Sequence, residues 1–488
     1  MNVKFRNVFF ISICVLGMLL VLTSISMILY ANQHSIPDGV HINQINVEHQ
    51  SVSQILAQMK QLEAHWKTYT FTFVYENEAS QQVTYTGEEL GIHTNLSSIA
   101  TSLLDLERGT IWNKFWTRLH MRHRTYDIHM DVDHATLQSK LTQHFSFIQN
   151  NEPTNAVRTI TDYDTITYTP EKNVARIDFE QLNINVQKEI QMQLQQWQDF
   201  KQNGITMKLP MYVLEAGVTV HKLKNQGVSK KIGQFTTTFR SSAGRVHNIH
   251  SVAKTMDTML LKPQEIFSYE EVIKSAEKKY GFKQASVIVN GKFVPGIGGG
   301  ICQVSTTLYN AILRSGLEVV ERRNHSVPIR YVPLGQDATF SRGNINFRFR
   351  NNTNHHLLIH TEISNQHVTV KLFGTEINEN HSYIVSSKLT KVLPPPKKVV
   401  YNPKLPVGTE KVLQKGKSGF IVETKRITTE NGKMIKEEII STDTYPPTPM
   451  LVATKKNSTP EPRSQIAPKR NIIEDGVEGP IFYFQPDE

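Results

Sequence analysis

The chain opens on an unbroken apolar run, Val8 to Tyr30, that contains no charged residue. At about 1.5 Å per residue a helix of this length crosses a hydrocarbon layer about 30 Å thick. Lys4 and Arg6 precede the run and no Lys or Arg follows until Lys60. The positive-inside rule therefore places residues 1–7 in the cytoplasm, 8–30 in the membrane and the rest outside. The run exceeds the usual signal-peptide core and no small-x-small cleavage site follows, which favours an uncleaved anchor over a cleaved leader. Either reading exports the bulk of the chain.

Beyond the run, residues 38–215 read as two similar α+β units. Ser51 leads into a helical pattern with Ile55, Met59 and Leu62 on one face, and the alternating segment Tyr69 to Tyr75 reads as a strand. In the second unit Asp133 is an N-cap candidate before Ala135, Leu137, Leu141 and Phe145, with strands between Ile160 and Tyr168. Glu89 to Asn95 corresponds in position and pattern to Gln181 to Val186, so an internal duplication is expected.

Residues 230–375 form a second α+β region. Gln234 to Phe239 alternates as a strand, and His247 to Leu261 carries apolar residues at helical spacing until Pro263. Ile345 to Phe349 alternates, and Leu357 to Ile363 with Val368 to Phe373 flank Asn365-Gln366 as a hairpin. Pro394-Pro395-Pro396 marks a linker, and residues 390–453 read as a small all-β module. Its strands are expected at Val407 to Thr409, Gly416 to Val422, Arg426-Ile427 and Met434 to Ile440, with a hairpin turn at Asn431-Gly432. Residues 454–488, rich in Pro, Ser and charge, read as a disordered tail. The fold class is thus α+β, multidomain, with an amino-terminal transmembrane helix.

Composition adds an electrostatic bias. The formal net charge is +10, which attracts polyanions. No zinc module or RNA-type aromatic motif is visible, and export argues against nucleic acid, leaving anionic lipid or wall polymer. The chain has two cysteines, Cys14 in the apolar run and Cys302 outside, which cannot pair within one chain. The thiol of Cys302 is accordingly a buried filler, an intermolecular link or a reactive group.

Five segments bear a specific resemblance. Arg245 to Ile249, Leu261 to Ser268, Gly298 to Ala311, Glu321 to Ser326 and Gly335 to Thr339 match the VanW pattern in order and spacing, so residues 230–375 resemble a VanW domain of the YoaR-like kind. Ser275 to Tyr280 departs from the family's usual Gly-x-Arg-Thr-like stretch. Residues 38–215 resemble the tandem peptidoglycan-binding repeats that precede such domains, with a plain spacer as the alternative, and residues 390–453 resemble a G-five module. The family is named for its occurrence in glycopeptide-resistance clusters. The resemblance implies a membrane-anchored, wall-facing protein of a Gram-positive bacterium, partnered by peptidoglycan or anionic wall polymer, engaged in cell-wall maintenance and needing no cofactor.

The chemistry centres on Gly298-Gly299-Gly300-Ile301-Cys302-Gln303. Glycines bend the backbone, and the spacing of Ile301, Val304, Leu308, Ala311 and Ile312 predicts a helix starting near Ile301. Cys302 in its first turn would favour a thiolate. Ser305, Thr306 and Tyr309 share its stripe and are expected to line a cleft with Gln303, Arg245 and Asn248. His325 and Asp337 are candidates for the base and its orienter, with the Gly300 to Gln303 amides as an oxyanion site. Three readings stay open: a buried structural cysteine, a cysteine transferase or hydrolase acting on wall peptides, and a glycine loop that cradles an anion without reacting. His355, His356 and His360 lack a carboxylate or Cys at ligand spacing, so no metal site is expected.

Overall fold

The computed structural model describes residues 3–75, 81–199, 203–239, 242–376, 378, 380–455 and 472–479. They divide into two compact units, residues 1–154 with 172–217, and residues 155–171 with 218–488.

In the first unit the apolar run forms the helix Val3–Ala31. The helix Val52–Thr68 buries Val52, Ile55, Met59, Leu62 and Trp66, which recur along one face. Asp133 caps His134–His144 by accepting from the Ala135 amide. One hydrophobic cluster extends from Ile36 to Leu209. Its two expected halves interleave, because the late strand Gly204–Lys208 runs parallel to the early strand Thr70–Val74, Gly204 opposite Thr70. Gln181 to Val186, expected to match Glu89 to Asn95, lies inside the helix Phe179–Leu194 instead. Asp178 caps that helix through the Gln181 amide, which commits the following residues to helical pairing.

In the second unit a four-stranded antiparallel sheet runs in the order Lys230–Thr238, His367–Gly374, Leu357–Ser364, Met259–Leu261. Asn365 and Gln366, both at positive φ, close the expected hairpin. The helix expected over 247–261 instead spans Ala243–Met256, and Met259–Leu261 is a strand. Thr258 sits at φ +63° and ends the helix before Pro263 can, while the Asp257 carboxylate accepts from the Thr361 amide at 2.9 Å.

The helix Ile301–Arg314 is the centre of this unit: every residue from Ile301 to Leu313 is buried. It packs against the sheet and against Ala243–Met256. A hairpin, Gln284–Val289 with Lys292–Ile297, gains a third strand from Ile473–Glu474. Part of the stretch expected to be disordered is therefore ordered and packed. Residues 456–471 and 480–488 lie outside the described residues, as do the side chains of Lys4 and Arg6.

Downstream, two three-stranded sheets form from His381–Leu393, Gly419–Glu430 and Lys433–Tyr445, and from Lys397–Tyr401, Met450–Thr454 and Glu410–Gln414. Asn431 and Gly432, at φ +48° and +79°, make the expected hairpin turn. The prolines at 394–396 join two strands of this module, so the expected boundary at 390 falls within a strand. Val407 to Thr409 is a turn, and Arg426-Ile427 continues the strand begun at Gly419.

Candidate functional site

The site is built on the start of the central helix. Gly300, at φ +109°, supplies the left-handed residue that begins it, and an added Cβ there would lie 2.8 Å from Arg245 Cγ. Gly298 and Gly299 precede it on the hairpin's end, and Asn248 fastens this bend by donating to Gly299 O at 3.0 Å and Lys283 O at 2.9 Å.

The helix start is capped from a distance. Asp475 Oδ1 accepts from the Gly300 amide at 3.1 Å and the Cys302 amide at 2.9 Å, and Oδ2 accepts from Arg245 at 3.0 Å. The amides expected to hold an oxyanion thus hold a carboxylate of the chain itself, favoured by the positive end of the helix. Gln303 positions the arginine: its Oε1 accepts from Arg245 at 3.1 Å while its amide nitrogen donates to Thr237 Oγ1 and Thr238 O.

Cys302, His325 and Asp337 do come together. His325 Nδ1 lies 2.7 Å from Asp337 Oδ2, which also accepts from the His325 amide at 2.7 Å. His325 Nε2 is buried without a partner of hydrogen-bonding geometry. The Cys302 thiol is close enough to act on that ring, so the relation is one of proximity rather than of a formed hydrogen bond. The Cys302 sulfur accepts from the Phe340 amide at 3.0 Å.

The expected solvent-reachable thiolate is not what this environment produces. Cys302 and His325 are fully buried. Burial is the main cause that pushes the Cys302 thiol up, and the Asp475 charge adds to it, while His325 opposes it. Burial disfavours a charged His325, yet the hydrogen bond to Asp337 and the neighbouring thiol raise it well above its ordinary value. Asp337 is likewise penalised by burial and still held low by His325 and Arg322. The 2.7 Å hydrogen bond thus couples the two buried groups, drawing His325 up and Asp337 down.

Nor do Ser305, Thr306 and Tyr309 line an open cleft. Ser305 donates to Ala338 O at 2.7 Å, Thr306 exchanges hydrogen bonds with Ala338, and Tyr309 lies under the Arg322 guanidinium, 5.0 Å from its ring centre. The segment 336–340 covers that stripe, its backbone meeting the hydroxyls. Ser275 to Tyr280 ends the helix Tyr269–Tyr280, with Ala276 in the core and Glu277 paired to Arg342. His360 is held by Asp257 at 2.8 Å. Among the described residues no group of three His, Cys, Asp or Glu gathers around a metal position.

Sequence reasoning missed Asp475, Glu474, Arg322 and Tyr445. Arg322 bridges Asp337 O at 2.6 Å and Asp443 at 2.6 and 2.7 Å, and Tyr445 donates to Asp337 Oδ1 at 2.5 Å. Glu321-Arg322-Arg323 stood in a quoted motif, but nothing local signalled an acidic partner more than a hundred residues away.

Two parts of the chain match known families: residues 244–373 match the family described as VanW like protein, and residues 386–454 match the G5 domain. The chain is 37% identical over 172 residues to the Bacillus subtilis protein YoaR, covering 35% of this chain and 54% of that protein. It is 35% identical over 114 residues to the vancomycin B-type resistance protein VanW of Enterococcus faecalis, covering 22% of this chain and 42% of that one. The chain thus spans about half the length, or less, of these curated relatives. Among solved structures, an IgA1 protease G5 domain is 28% identical and wholly covered, matching 17% of this chain with a TM-score of 0.14. The HP0197 G5 domain is 20% identical and 96% covered, matching 15% of this chain with a TM-score of 0.12.

Proposed function

We propose that this protein is a single-pass membrane protein whose bulk faces the cell wall of a Gram-positive bacterium, and that it binds peptidoglycan or an anionic wall polymer in support of wall maintenance. The observation that carries this reading is the surface of the G5 strands. Lys388, Lys391, Lys397, Lys398, Lys411 and Lys436 are exposed beside exposed Ile384, Leu389, Val399, Tyr401, Val412 and Ile435. Thin sheets that expose cations and apolar stems together suit a long anionic, sugar-bearing polymer better than a compact partner.

Membrane anchoring draws support from the first unit. The helix Ile111–Met121 packs on the apolar helix, with Phe115 edge-on to Tyr30 at 6.0 Å, and exposes Trp112, Trp116 and Leu119. Exposed tryptophans beside the end of a membrane span suit the headgroup layer. The charge asymmetry around the span favours an outward-facing bulk. The interleaved α+β region of 38–215 is read as contributing to wall contact.

The test is cosedimentation of the detergent-solubilised full chain with purified wall sacculi. Pelleting that declines as salt rises is expected, since screening weakens exposed charge. A chain that stays in the supernatant at moderate salt sinks the reading.

A second reading, a cysteine transferase or hydrolase acting on wall peptides, is favoured by the convergence of Cys302, His325 and Asp337. Its measurement is the pH profile of iodoacetamide modification at Cys302. A thiol that reacts only at alkaline pH in the wall-bound chain as well as the free chain leaves wall binding alone.

A further inference from the structure

Residues 472–479 complete a groove that the rest of the domain leaves open. Ile473 and Glu474 pair antiparallel with Val289 and Ile288, the Val477 amide donates to Ile297 O at 2.8 Å, and the Ile297 amide donates to Glu478 O at 2.7 Å. Val477 enters the core at 6% exposure. Glu474 accepts from the Ser326 amide at 2.9 Å and its hydroxyl at 3.0 Å, beside His325. Asp475 bridges the Gly300 and Cys302 amides and Arg245 as described.

The fit is close. Asp475 holds φ +56°, and an added Cβ on Gly476 would lie 2.4 Å from Val287 Cγ1 and 2.9 Å from Ile297 O. These are the contacts by which a groove takes an extended peptide: main-chain pairing on a sheet edge, an apolar side chain in a pocket, and a carboxylate on amides and a guanidinium. One asymmetry separates this segment from an ordinary edge strand. Glu474 and Asp475 are buried with their carboxylates hydrogen-bonded, Asp475 to Arg245 as well as to amides, whereas the domain's own His325 Nε2 and Tyr331 hydroxyl are buried without a partner of hydrogen-bonding geometry. Buried polar groups are rarely left so. The occupant meets the helix-start amides, Arg245 and Ser326, and leaves His325 Nε2 and the Tyr331 hydroxyl without a hydrogen bond of good geometry.

We propose that this groove is a binding site for an acidic peptide, with the Gly300 and Cys302 amides and Arg245 as its carboxylate subsite, and that residues 472–479 are its resident occupant, which an incoming peptide displaces. The inference deepens the wall-binding reading by naming a carboxylate-bearing peptide as the ligand class, and it rests on that reading for the peptide's source. A vacant groove lacks the Asp475 charge, one of the two influences that raise the Cys302 thiol, and an incoming carboxylate restores it, so thiol reactivity tracks vacancy of the groove.

The test uses the full chain in detergent with a protease site inserted between residues 457 and 470, cut after folding, and in parallel the Asp475→Asn chain. The probes are fluorescein-labelled peptides of residues 472–479 carrying Asp or Asn at the position of Asp475. Uncut chain is expected to bind either probe weakly. Cut chain and Asp475→Asn chain are expected to bind the Asp probe about ten-fold tighter than the Asn probe, roughly one charge-assisted hydrogen bond. Arg245→Gln is expected to erase that preference. Equal binding of both probes, or a cut segment that never exchanges, overturns the proposal and makes 472–479 a fixed strand. If Asp475→Asn fails to fold, the cut chain decides. Sacculus pelleting is measured on the same preparations: retained pelleting with failed exchange removes this inference alone, and loss of both removes the wall-binding reading too.

Discussion

Tyr445, on the last strand of a G5 sheet, donates its hydroxyl to Asp337 at 2.5 Å, on the oxygen opposite the one that holds His325. The same hydroxyl accepts from the Gly335 amide at 2.8 Å. The G5 domain therefore contributes to the electrostatics at the heart of the VanW-like domain. Tyr445→Phe strands a buried amide and takes one donor from a buried carboxylate, and is expected to cost about 1–3 kcal/mol. Urea denaturation of the full chain checks this; an unchanged midpoint contradicts it.

The His325–Asp337 pair sets a pH window. His325 is raised, so its contribution is fully present below its ordinary value of 6.5 and is lost as pH rises through the higher folded value. Asp337 is lowered, so its contribution is present above its ordinary value of 3.8 and is lost as pH falls through the lower folded one. Asp337→Asn breaks a buried pair and is expected to destabilise by about 3 kcal/mol or more near pH 6. The gap between wild type and His325→Gln should narrow as pH climbs into the alkaline range. A gap that widens there contradicts the sign.

Cys302 should behave as a raised thiol. In the Cys14→Ser chain, iodoacetamide modification is expected to rise only above the usual thiol range, because burial outweighs the help from His325. His325→Gln removes a lowering influence and is expected to move that profile further up. Rapid modification at neutral pH in the free chain contradicts the burial described here.

Gly300→Ala is expected to destabilise the domain by roughly 1–3 kcal/mol. The left-handed backbone admits alanine poorly, and the methyl would meet Arg245 Cγ at 2.8 Å. Circular dichroism melting reads the loss; a melt like that of wild type is inconsistent with the turn.

Trp112→Ala with Trp116→Ala should weaken membrane association without unfolding the first unit, since both side chains are exposed. In a chain lacking residues 1–31, flotation with vesicles containing anionic lipid is expected to fall. Equal flotation of variant and parent would show that these rings face water.

Much of this was legible in the sequence because it is local. The central helix follows from the spacing of Ile301, Val304, Leu308 and Ile312, and both hairpin turns follow from Asn365-Gln366 and Asn431-Gly432. His325 and Asp337 follow from motif order and do meet. What was not legible depends on distance. Ser305 and Thr306 read as a polar stripe because nothing local indicates that the backbone of Ala338 will satisfy them. Asp475 sits in an acidic, proline-flanked stretch whose composition reads as disorder, although its partners lie at the far end of the domain. Thr258 ended a helix that apolar spacing alone would have continued.

The contact between Gly300 and Asp475 closes a loop of 175 residues. In a chain synthesised amino end first, the central helix emerges long before its cap does, and the entire G5 domain must pass in between. Closing so distant a contact is slow compared with forming local hairpins. The VanW-like domain is therefore the last part to mature, and an arrest of synthesis shortly before Asp475 leaves a species with a finished G5 domain and an unsealed neighbour open to proteases and chaperones.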